Sequence, residues 1–345
     1  MRKFLIISFI VLIAGCAVGP PKEQVEGPPL VKTLSLEEKV GQMFMIRYSG
    51  SFYQENSYNY RWMKRLIEER KIGGVIQFVG SIHGTVENLN ELQRISDLPL
   101  LIAADYERGV GQLLDGGTLF PTNMAVAATN SPGLAYKQGR ITAQEGRAVG
   151  VHVTFAPVMD VNSNPDNPII NFRAYGDTPE IVERFGRAFI RGVQENNMVA
   201  TAKHFPGHGN TATDSHTSLP VITADRDDFE RVDLAPFKAA VESGVGMIMV
   251  GHIAVPSISN NDLPATDANR WLRRGPPLLH DLLPQTCATA SARRMGPYRA
   301  RVLRRRATAP VRRLQPPGNR AQSPTHRDCS HRGDADRYTR LRDWR

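Results

Sequence analysis

Short apolar runs alternate with amphipathic stretches along residues 36–266 of the chain. Runs such as residues 100–104 are almost continuously apolar, as expected of strands buried on both faces of a parallel sheet. The stretches between them place apolar residues at helical spacing. The predicted strands are Met43–Arg47, Gly74–Phe78, Leu100–Ala104, Val151–Val158, Val199–Lys203 and Met247–Val250. The predicted helices include Arg61–Arg70, Leu134–Val149, Pro179–Asn196 and Asp233–Glu242.

Residues with acid, base or hydrogen-bonding chemistry follow the last four predicted strands. They are Asp105, Asp160, the pair Lys203-His204 and the pair Gly251-His252. Such residues at successive strand ends are typical of the active face of a barrel. A doubly wound sheet, the alternative, usually has a glycine-rich phosphate loop after its first strand, and residues 47–50 do not form one. The pattern therefore predicts an α/β fold of the (β/α)8 TIM-type barrel class.

The apolar periodicity stops after Thr266, where only about six β/α units have been completed. Residues 267–345 contain no Ile and no Lys and are rich in Arg and Pro. This segment is either a natural disordered basic tail or a frameshifted reading of a GC-rich gene. We favour the frameshift, because a domain boundary is not expected in the middle of a barrel. The prediction is an incomplete barrel domain over residues 34–266, followed by a tail over 267–345 that does not look native.

The formal net charge of +9 at first suggests a nucleic-acid-binding protein. The distribution of charge argues against this, because residues 267–345 contain 19 Arg and 6 Asp, with no Lys and no Glu. That segment carries about +13, which leaves about −4 for residues 1–266. The basic character belongs to the tail, so we expect no nucleic-acid partner for the folded part.

The N-terminus has the features of an export signal. Arg2 and Lys3 precede an apolar run of about ten residues, which is too short to span a bilayer. Residues 12–16, Leu-Ile-Ala-Gly-Cys, resemble a lipobox, which predicts a lipoprotein signal peptide over 1–16 and a lipid anchor on Cys16. A plain signal peptide with an incidental cysteine is the alternative. Residues 17–33 are proline-rich and predict an extended tether, and Ala17 favours the outer membrane or cell surface as the destination.

The densest cluster of chemically capable residues lies at 203–209, Lys-His-Phe-Pro-Gly-His-Gly, and at 214–220, Asp-Ser-His-Thr-Ser-Leu-Pro. A histidine can donate and take back a proton near neutral pH. Asp214 lies two residues before His216, so its carboxylate could orient the imidazole and stabilise its protonated form. Gly207 and Gly209 would allow the loop to bend. Alone, the second motif could equally contain a capping Asp and an exposed His.

Together these motifs resemble glycoside hydrolase family 3, in its beta-N-acetylglucosaminidase branch. Residues 104–109, 155–161 and 171–176 support the resemblance, which covers roughly residues 34–266. It implies a retaining exo-beta-N-acetylglucosaminidase, without cofactor or metal, that acts on cell-wall fragments or similar glycans. It assigns the acid/base role to Asp214 and His216. The residues that it assigns to the sugar-binding site are Asp105, Arg173, Lys203 and His204.

Two departures from the family pattern stand out. Many members read Asp-x-Glu-Gly-Gly-Arg where residues 105–110 read Asp-Tyr-Glu-Arg-Gly-Val, so no contact is assigned beyond Asp105. The resemblance also implies a nucleophilic Asp after a seventh strand, and no strand-like run of that kind follows Thr266. Asp281 lies at a suitable distance, but no strand-like run leads into it, so no nucleophile is assigned and the chain as written is expected to be inactive.

Several alternatives remain open at this point. His204, His208, Asp214 and His216 could in principle bind zinc, although Phe-Pro-Gly between the first two cannot form a helical metal motif. A phosphate-binding nest at 206–209 is conceivable. A His-based acid/base would also suit a phosphorylase. Finally, sugar contacts without a nucleophile would suit a non-catalytic glycan-binding lipoprotein.

Overall fold

The structure is a computed structural model, and it describes residues 30–50, 52, 54–215, 218–259 and 263–266. The strands are β1 (Met45–Gly50), β2 (Gly74–Ser81), β3 (Leu101–Ala104), β4 (Leu114–Asp115), β5 (Val153–Thr154), β6 (Val199–Phe205) and β7 (Met247–Val250). The helices are α1 (Leu30–Thr33), α2 (Leu36–Gly41), α3 (Tyr58–Glu68), α4 (Ile82–Ile95), α5 (Asn123–Ala128), α6 (Pro132–Ala148), α7 (Pro179–Gln194), α8 (Arg226–Val232), α9 (Ala235–Glu242) and α10 (Pro256–Ser259).

The sheet is parallel throughout and follows the order of the chain. Its order is β1-β2-β3-β5-β6-β7, and the short strand β4 pairs with the end of β2. A doubly wound sheet reverses direction at a switch point, whereas a barrel adds each strand beside the previous one. The sequential order therefore confirms the predicted barrel-type α/β fold, with six main strands in the part of the chain described.

The core lies between the sheet and its covering helices. Helix α7 illustrates how the sequence builds it, because Val182, Phe185, Phe189 and Val193 recur at helical spacing and are fully buried. These side chains belong to one apolar cluster that also contains residues of the strands, such as Val75, Ile102 and Ala200. The covering helices thereby fix the strand ends that carry the polar residues.

The fourth predicted strand is much too long. The prediction covered Val151–Val158, whereas β5 contains only Val153 and Thr154, and Val158 makes an isolated bridge to Lys203. Pro157 interrupts the run, because proline has no backbone N–H to donate to a strand ladder. The chain beyond it turns towards the C-terminal edge of the sheet and places Asp160 there.

The other predicted elements agree with the structure to within a few residues. Helix α4, between β2 and β3, was not among the helices named from the pattern. The predicted helix Asp233–Glu242 is instead preceded by α8 and begins at Ala235, so that Asp233 lies between two helices. In the part of the chain that the structure covers, no helix is both long and apolar enough to cross a bilayer.

The predicted signal peptide over 1–16, including Cys16, lies outside the described residues, as does the tail over 267–345. Most of the predicted tether over 17–33 lies there too. Its last four residues form helix α1.

Helices α6 and α7 approach each other closely at two glycines. A methyl group on Gly192 would lie 2.2 Å from the carbonyl oxygen of Tyr136, and one on Gly139 would lie 2.5 Å from that of Phe189. Neither carbonyl can move without shifting a helix. The packing of this helix pair therefore requires glycine, which has no side chain, at both positions.

We predict that Gly192→Ala lowers the free energy of unfolding by about 1–3 kcal/mol, because the two helices must separate to admit the methyl group. Gly133→Ala is the matched control, since Gly133 lies in the first turn of α6 and a methyl group there would come no closer than 3.9 Å to the Ser131 hydroxyl oxygen. That substitution should be neutral or slightly stabilising. Denaturant unfolding of both variants checks this, and equal stabilities would show that the helix contact does not need Gly192.

Candidate active site

Polar side chains from three neighbouring strands meet at the C-terminal edge of the sheet. Asp105 follows β3, and Asp160 lies beyond β5. Lys203 and His204 are among the last three residues of β6. Strand β5 lies between β3 and β6 in the sheet. The parallel register therefore collects these residues in one place, as the strand-end pattern in the sequence predicted.

Lys203 is buried and forms two ion pairs. Its side chain is 3% exposed, and its Nζ lies 2.7 Å from Asp105 Oδ1 and 2.6 Å from Glu107 Oε1. Asp105 is 34% exposed, so one of the two carboxylates faces the open edge of the sheet while the other is enclosed. Lys203 is thus held by a buried partner and shared with an accessible one.

Glu107 is the buried partner, and the sequence reasoning assigned it no role. Its side chain is 6% exposed, and it accepts a two-pronged contact from Arg173, with Nη2 at 2.7 Å and Nε at 3.0 Å. Burial alone would raise the pKa of Glu107, but the charges of Lys203 and Arg173 lower the pKa well below its usual value. The carboxylate is therefore ionised and binds both cations of the cluster.

Arg173 is held in place by hydrogen bonds to backbone and side-chain groups as well as by Glu107. It ends the short 3-10 helix at Asn171–Arg173, and its carbonyl accepts a hydrogen bond from Asn123 Nδ2 at 2.8 Å. Its Nη1 donates to the carbonyl of Ile169 at 2.9 Å. These contacts leave Nη2 directed at Glu107 and 3.4 Å from the Nε2 of His204.

His204 is paired with Asp160, a fully buried carboxylate. The Nδ1 of His204 lies 2.6 Å from Asp160 Oδ2, and its backbone N–H donates to the same group at 3.2 Å. Asp160 also accepts from the backbone N–H of His208 at 2.8 Å. The sequence placed Asp160 at a strand end but gave it no role, and the structure makes it the anchor of the segment from His204 to His208.

The loop after β6 depends on its glycines and on the loop after β5. A methyl group on Gly209 would lie 1.6 Å from the carbonyl oxygen of Val161, and Gly207 has a φ of 132°, which favours glycine. Asn167 donates from Nδ2 to the carbonyls of His208 and Gly209. The glycines that the sequence singled out for bending therefore also permit a close approach of two loops.

The predicted acid/base pair is only partly described. Asp214 is half-buried and its carbonyl accepts a hydrogen bond from the backbone N–H of Ser218 at 3.2 Å. His216 lies outside the described residues, so the geometry of the Asp214–His216 pair stays a prediction. The structure brings together the four predicted sugar-site residues Asp105, Arg173, Lys203 and His204 with Glu107 and Asp160.

The charges of four of these residues balance one another. Two cations, Lys203 and Arg173, face two carboxylates, Asp105 and Glu107. A group of this kind binds uncharged hydroxyl-rich molecules well, because it offers donors and acceptors without an unpaired charge. It has no free cation with which to attract an anionic ligand.

The alternative metal site is not assembled in the part of the chain that is described. Within it, no group of three or more His, Cys, Asp or Glu side chains is placed to hold a metal ion. His204 and His208 have ring centres 6.1 Å apart, and their Nδ1 atoms are taken by Asp160 and by Thr211. Burial lowers the pKa of His208, which favours its neutral form.

Asp233 is a second buried carboxyl group behind the loop. It follows α8, and its Cβ would lie 2.8 Å from a methyl group on Gly207. Its Oδ1 has no hydrogen-bond partner among the described residues. Burial, and then the negative charge of Asp160, raise the pKa of Asp233 to about 7. No sequence pattern marked this residue, which the prediction placed at the start of a helix.

Comparison with known proteins adds the family context. Residues 35–275 match the model of the glycosyl hydrolase family 3 N terminal domain. The chain is similar to a beta-hexosaminidase A from Pseudoalteromonas piscicida, with 36% identity over 61% of this chain and 38% of that protein. The match therefore spans well under two thirds of that relative's length.

Two solved structures give the same picture of the fold. A family 3 beta-N-acetylglucosaminidase from Paenibacillus is 38% identical, with a TM-score of 0.63 over 68% of this chain and 45% of that one. A beta-glucoside phosphorylase, BglX, bound to 2FGlc is 29% identical, with a TM-score of 0.66 over 73% of this chain and 45% of that one. Both a hydrolase and a phosphorylase thus resemble the described fold.

We predict that Asp233→Asn stabilises the protein above pH 7. The unfolded chain loses this proton near the ordinary value of 3.8, whereas the folded protein keeps it until about pH 7. The folded state therefore binds more protons between these values, and the wild type loses stability as the pH rises through this range. The variant has no such proton to lose. Its free energy of unfolding should therefore exceed that of the wild type by up to about 4 kcal/mol at pH 8 and by almost nothing at pH 4.

Asp227→Asn serves as the control, since Asp227 is an exposed carboxylate on α8. Denaturant unfolding of all three proteins between pH 4 and pH 8 measures the effect. A gain for Asp233→Asn that does not change with pH would contradict the buried, proton-retaining state of Asp233.

Proposed function

The chain belongs to glycosyl hydrolase family 3 through the N-terminal domain matched by residues 35–275, and on that premise we propose that it removes terminal N-acetyl-beta-hexosamine residues from glycans. The observation that carries the proposal is the neutral cluster of Lys203, Arg173, Asp105 and Glu107 at the open edge of the sheet. The names of the relatives, beta-hexosaminidase and beta-N-acetylglucosaminidase, support the same substrate class.

In this proposal the cluster binds the terminal sugar. Asp105 is partly exposed and accepts hydrogen bonds from hydroxyls, while Lys203 donates to hydroxyls from the position that Glu107 fixes. Because both cations are already paired with carboxylates, the site suits an uncharged sugar. Losing such a paired contact is costly, since the partner charge then stays buried alone.

The bond-breaking step needs a proton for the departing oxygen. We assign that proton to His216 and its orientation to Asp214, which follow the glycine-rich loop in the sequence. Retention of configuration requires a carboxylate nucleophile that forms a glycosyl-enzyme, after which His216 takes a proton from water. That nucleophile is unassigned in this chain, and Asp281, the one residue at a suitable distance, lies outside the described residues.

Two other functions have specific support. The likeness to a beta-glucoside phosphorylase favours phosphate as an alternative acceptor for the glycosyl group. Because no nucleophile is assigned, a protein that binds glycans without cleaving them is the other alternative. The dependence of product formation on phosphate separates the first from a hydrolase, and binding without turnover identifies the second.

We also propose that Cys16 carries a lipid that anchors the protein to a membrane, with residues 17–29 as the tether. The motif at 12–16 supports this. An anchored enzyme would act on glycans close to the membrane surface, as cell-wall fragments are.

We predict that His216→Ala costs roughly 10²–10⁴-fold in kcat/KM on substrates with poor leaving groups, in a protein whose reading frame is restored after Thr266. The loss should be much smaller on 4-nitrophenyl N-acetyl-beta-glucosaminide, whose leaving group needs little protonation. His83→Ala is the control, as an exposed histidine on α4. Equal losses on both substrates would point to a structural role for His216.

The 345-residue chain as written provides the companion test. We expect it to release no 4-nitrophenol, because a nucleophile is not assigned in it, and we expect the restored protein to do so without added phosphate. Turnover by the chain as written would show that a residue beyond Thr266 acts as nucleophile. Turnover that requires phosphate would replace the hydrolase by a phosphorylase.

For the anchor, Cys16→Ser is expected to leave the protein unprocessed or to release it from the membrane fraction. Fractionation of cells with metabolic labelling by a fatty acid measures this. An unlabelled wild type that fractionates like the variant would rule out the lipid on Cys16 and leave a plain signal peptide.

A further inference from the structure

His204 is set between an acceptor and a donor that define where its proton lies. Its Nδ1 lies 2.6 Å from Asp160 Oδ2, inside a site where Asp160 is 0% exposed. Asp160 also accepts hydrogen bonds from the backbone N–H groups of His204 and His208, which favours its ionised form. An ionised carboxylate only accepts hydrogen bonds, so the Nδ1 of His204 must carry a proton.

The other ring nitrogen faces a group that only donates. His204 Nε2 lies 3.4 Å from Arg173 Nη2, and a guanidinium has no acceptor atom. Arg173 cannot turn away, because Glu107 binds its Nη2 and Nε and the Ile169 carbonyl binds its Nη1. A proton on Nε2 would point at this fixed cation, so the lone pair belongs there.

We propose that Asp160 is a positioning residue that holds His204 as the neutral tautomer with its proton on Nδ1, so that Nε2 presents a hydrogen-bond acceptor to the sugar. This inference rests on the proposed sugar-binding function for its ligand, but not for the tautomer itself. The imidazole then accepts a hydrogen bond at Nε2 and does not donate one there. Donors in the pocket come from Lys203 and Arg173 instead.

The arrangement has a consequence for the sugar. A hydroxyl placed beside both groups can accept from Arg173 Nη2 and donate to His204 Nε2, so both of its hydrogen-bonding roles are filled. A fluorine or a methoxy group at that position can accept but cannot donate. The site therefore selects a free hydroxyl there, because a buried acceptor left without a donor is penalised.

Asp160 also fixes the backbone on which His204 stands. It accepts from the N–H groups of His204 and His208, so the same carboxylate sets the ring tautomer and the path of the intervening chain. An amide in its place keeps one acceptor oxygen but adds two donors. One of those donors would face Nδ1 or a backbone N–H, which favours moving the ring proton to Nε2.

The test is the protonation of the His204 ring, read by ¹⁵N NMR of histidine-labelled 345-residue chain, with His204→Gln identifying its signals. We expect the wild type to show a protonated Nδ1 and an unprotonated Nε2 at pH 7.5. A proton on Nε2, or on both nitrogens, would overturn the proposal. This measurement needs no ligand, so it does not depend on whether the chain binds sugar.

Asp160→Asn supplies the second readout. We expect its His204 proton to move to Nε2 and its Kd for N-acetylglucosamine, used as the probe, to rise roughly tenfold or more. Asp166→Asn, an exposed carboxylate of the same loop, should change neither. A variant that loses affinity while His204 keeps the wild-type tautomer would make Asp160 purely structural. If the wild type shows the expected tautomer but does not bind the probe, the sugar-binding function fails and the Asp160 assignment remains.

Discussion

The pairing of buried charges determines the arrangement of the candidate site. Lys203 and His204 lie near the end of strand β6, and each requires a carboxylate nearby because an unpaired charge or polar ring is costly inside a protein. Glu107, beyond β3, serves Lys203 and Arg173, and Asp160, beyond β5, serves His204. The site therefore exists only where β3, β5 and β6 lie side by side in parallel register. The strand order of the sheet therefore determines which charged side chains can pair in the site.

This constraint accounts for what the site offers a ligand. The enclosed carboxylate of Glu107 binds the two cations, and that of Asp160 binds the imidazole. Asp105 remains accessible at the open edge of the sheet. Preorganised donors and acceptors of balanced charge suit hydroxyl-rich, uncharged sugars, and they lose little entropy when the sugar binds. The loop over residues 206–209 is held against the β5 loop by Asn167 and by the absence of a side chain on Gly209. The predicted acid/base residues follow directly from this anchored loop.

The sequence predicted the strand ends well and the partners poorly. Asp105, Lys203 and His204 were found because polar residues after apolar runs mark the active edge of a parallel sheet. Glu107 was missed because a single acidic residue near Asp105 gives no periodic signal in the sequence. The two cations Lys203 and Arg173 nevertheless imply two carboxylates nearby. Asp233 was missed because its burial depends on how α8 and α9 meet. The strand at Val151–Val158 was overestimated, because apolar content was weighed above the missing N–H of Pro157.

The central claim is that the cluster around Lys203 binds the terminal sugar of a glycan. A crystal structure of the chain grown with N-acetylglucosamine tests it most directly. The account predicts the sugar over the C-terminal ends of β3 and β6, with hydroxyls within hydrogen-bond distance of Asp105 and Lys203 and with Glu107 still bound to Arg173. A sugar bound elsewhere, or one that displaces Glu107 from the two cations, would contradict it.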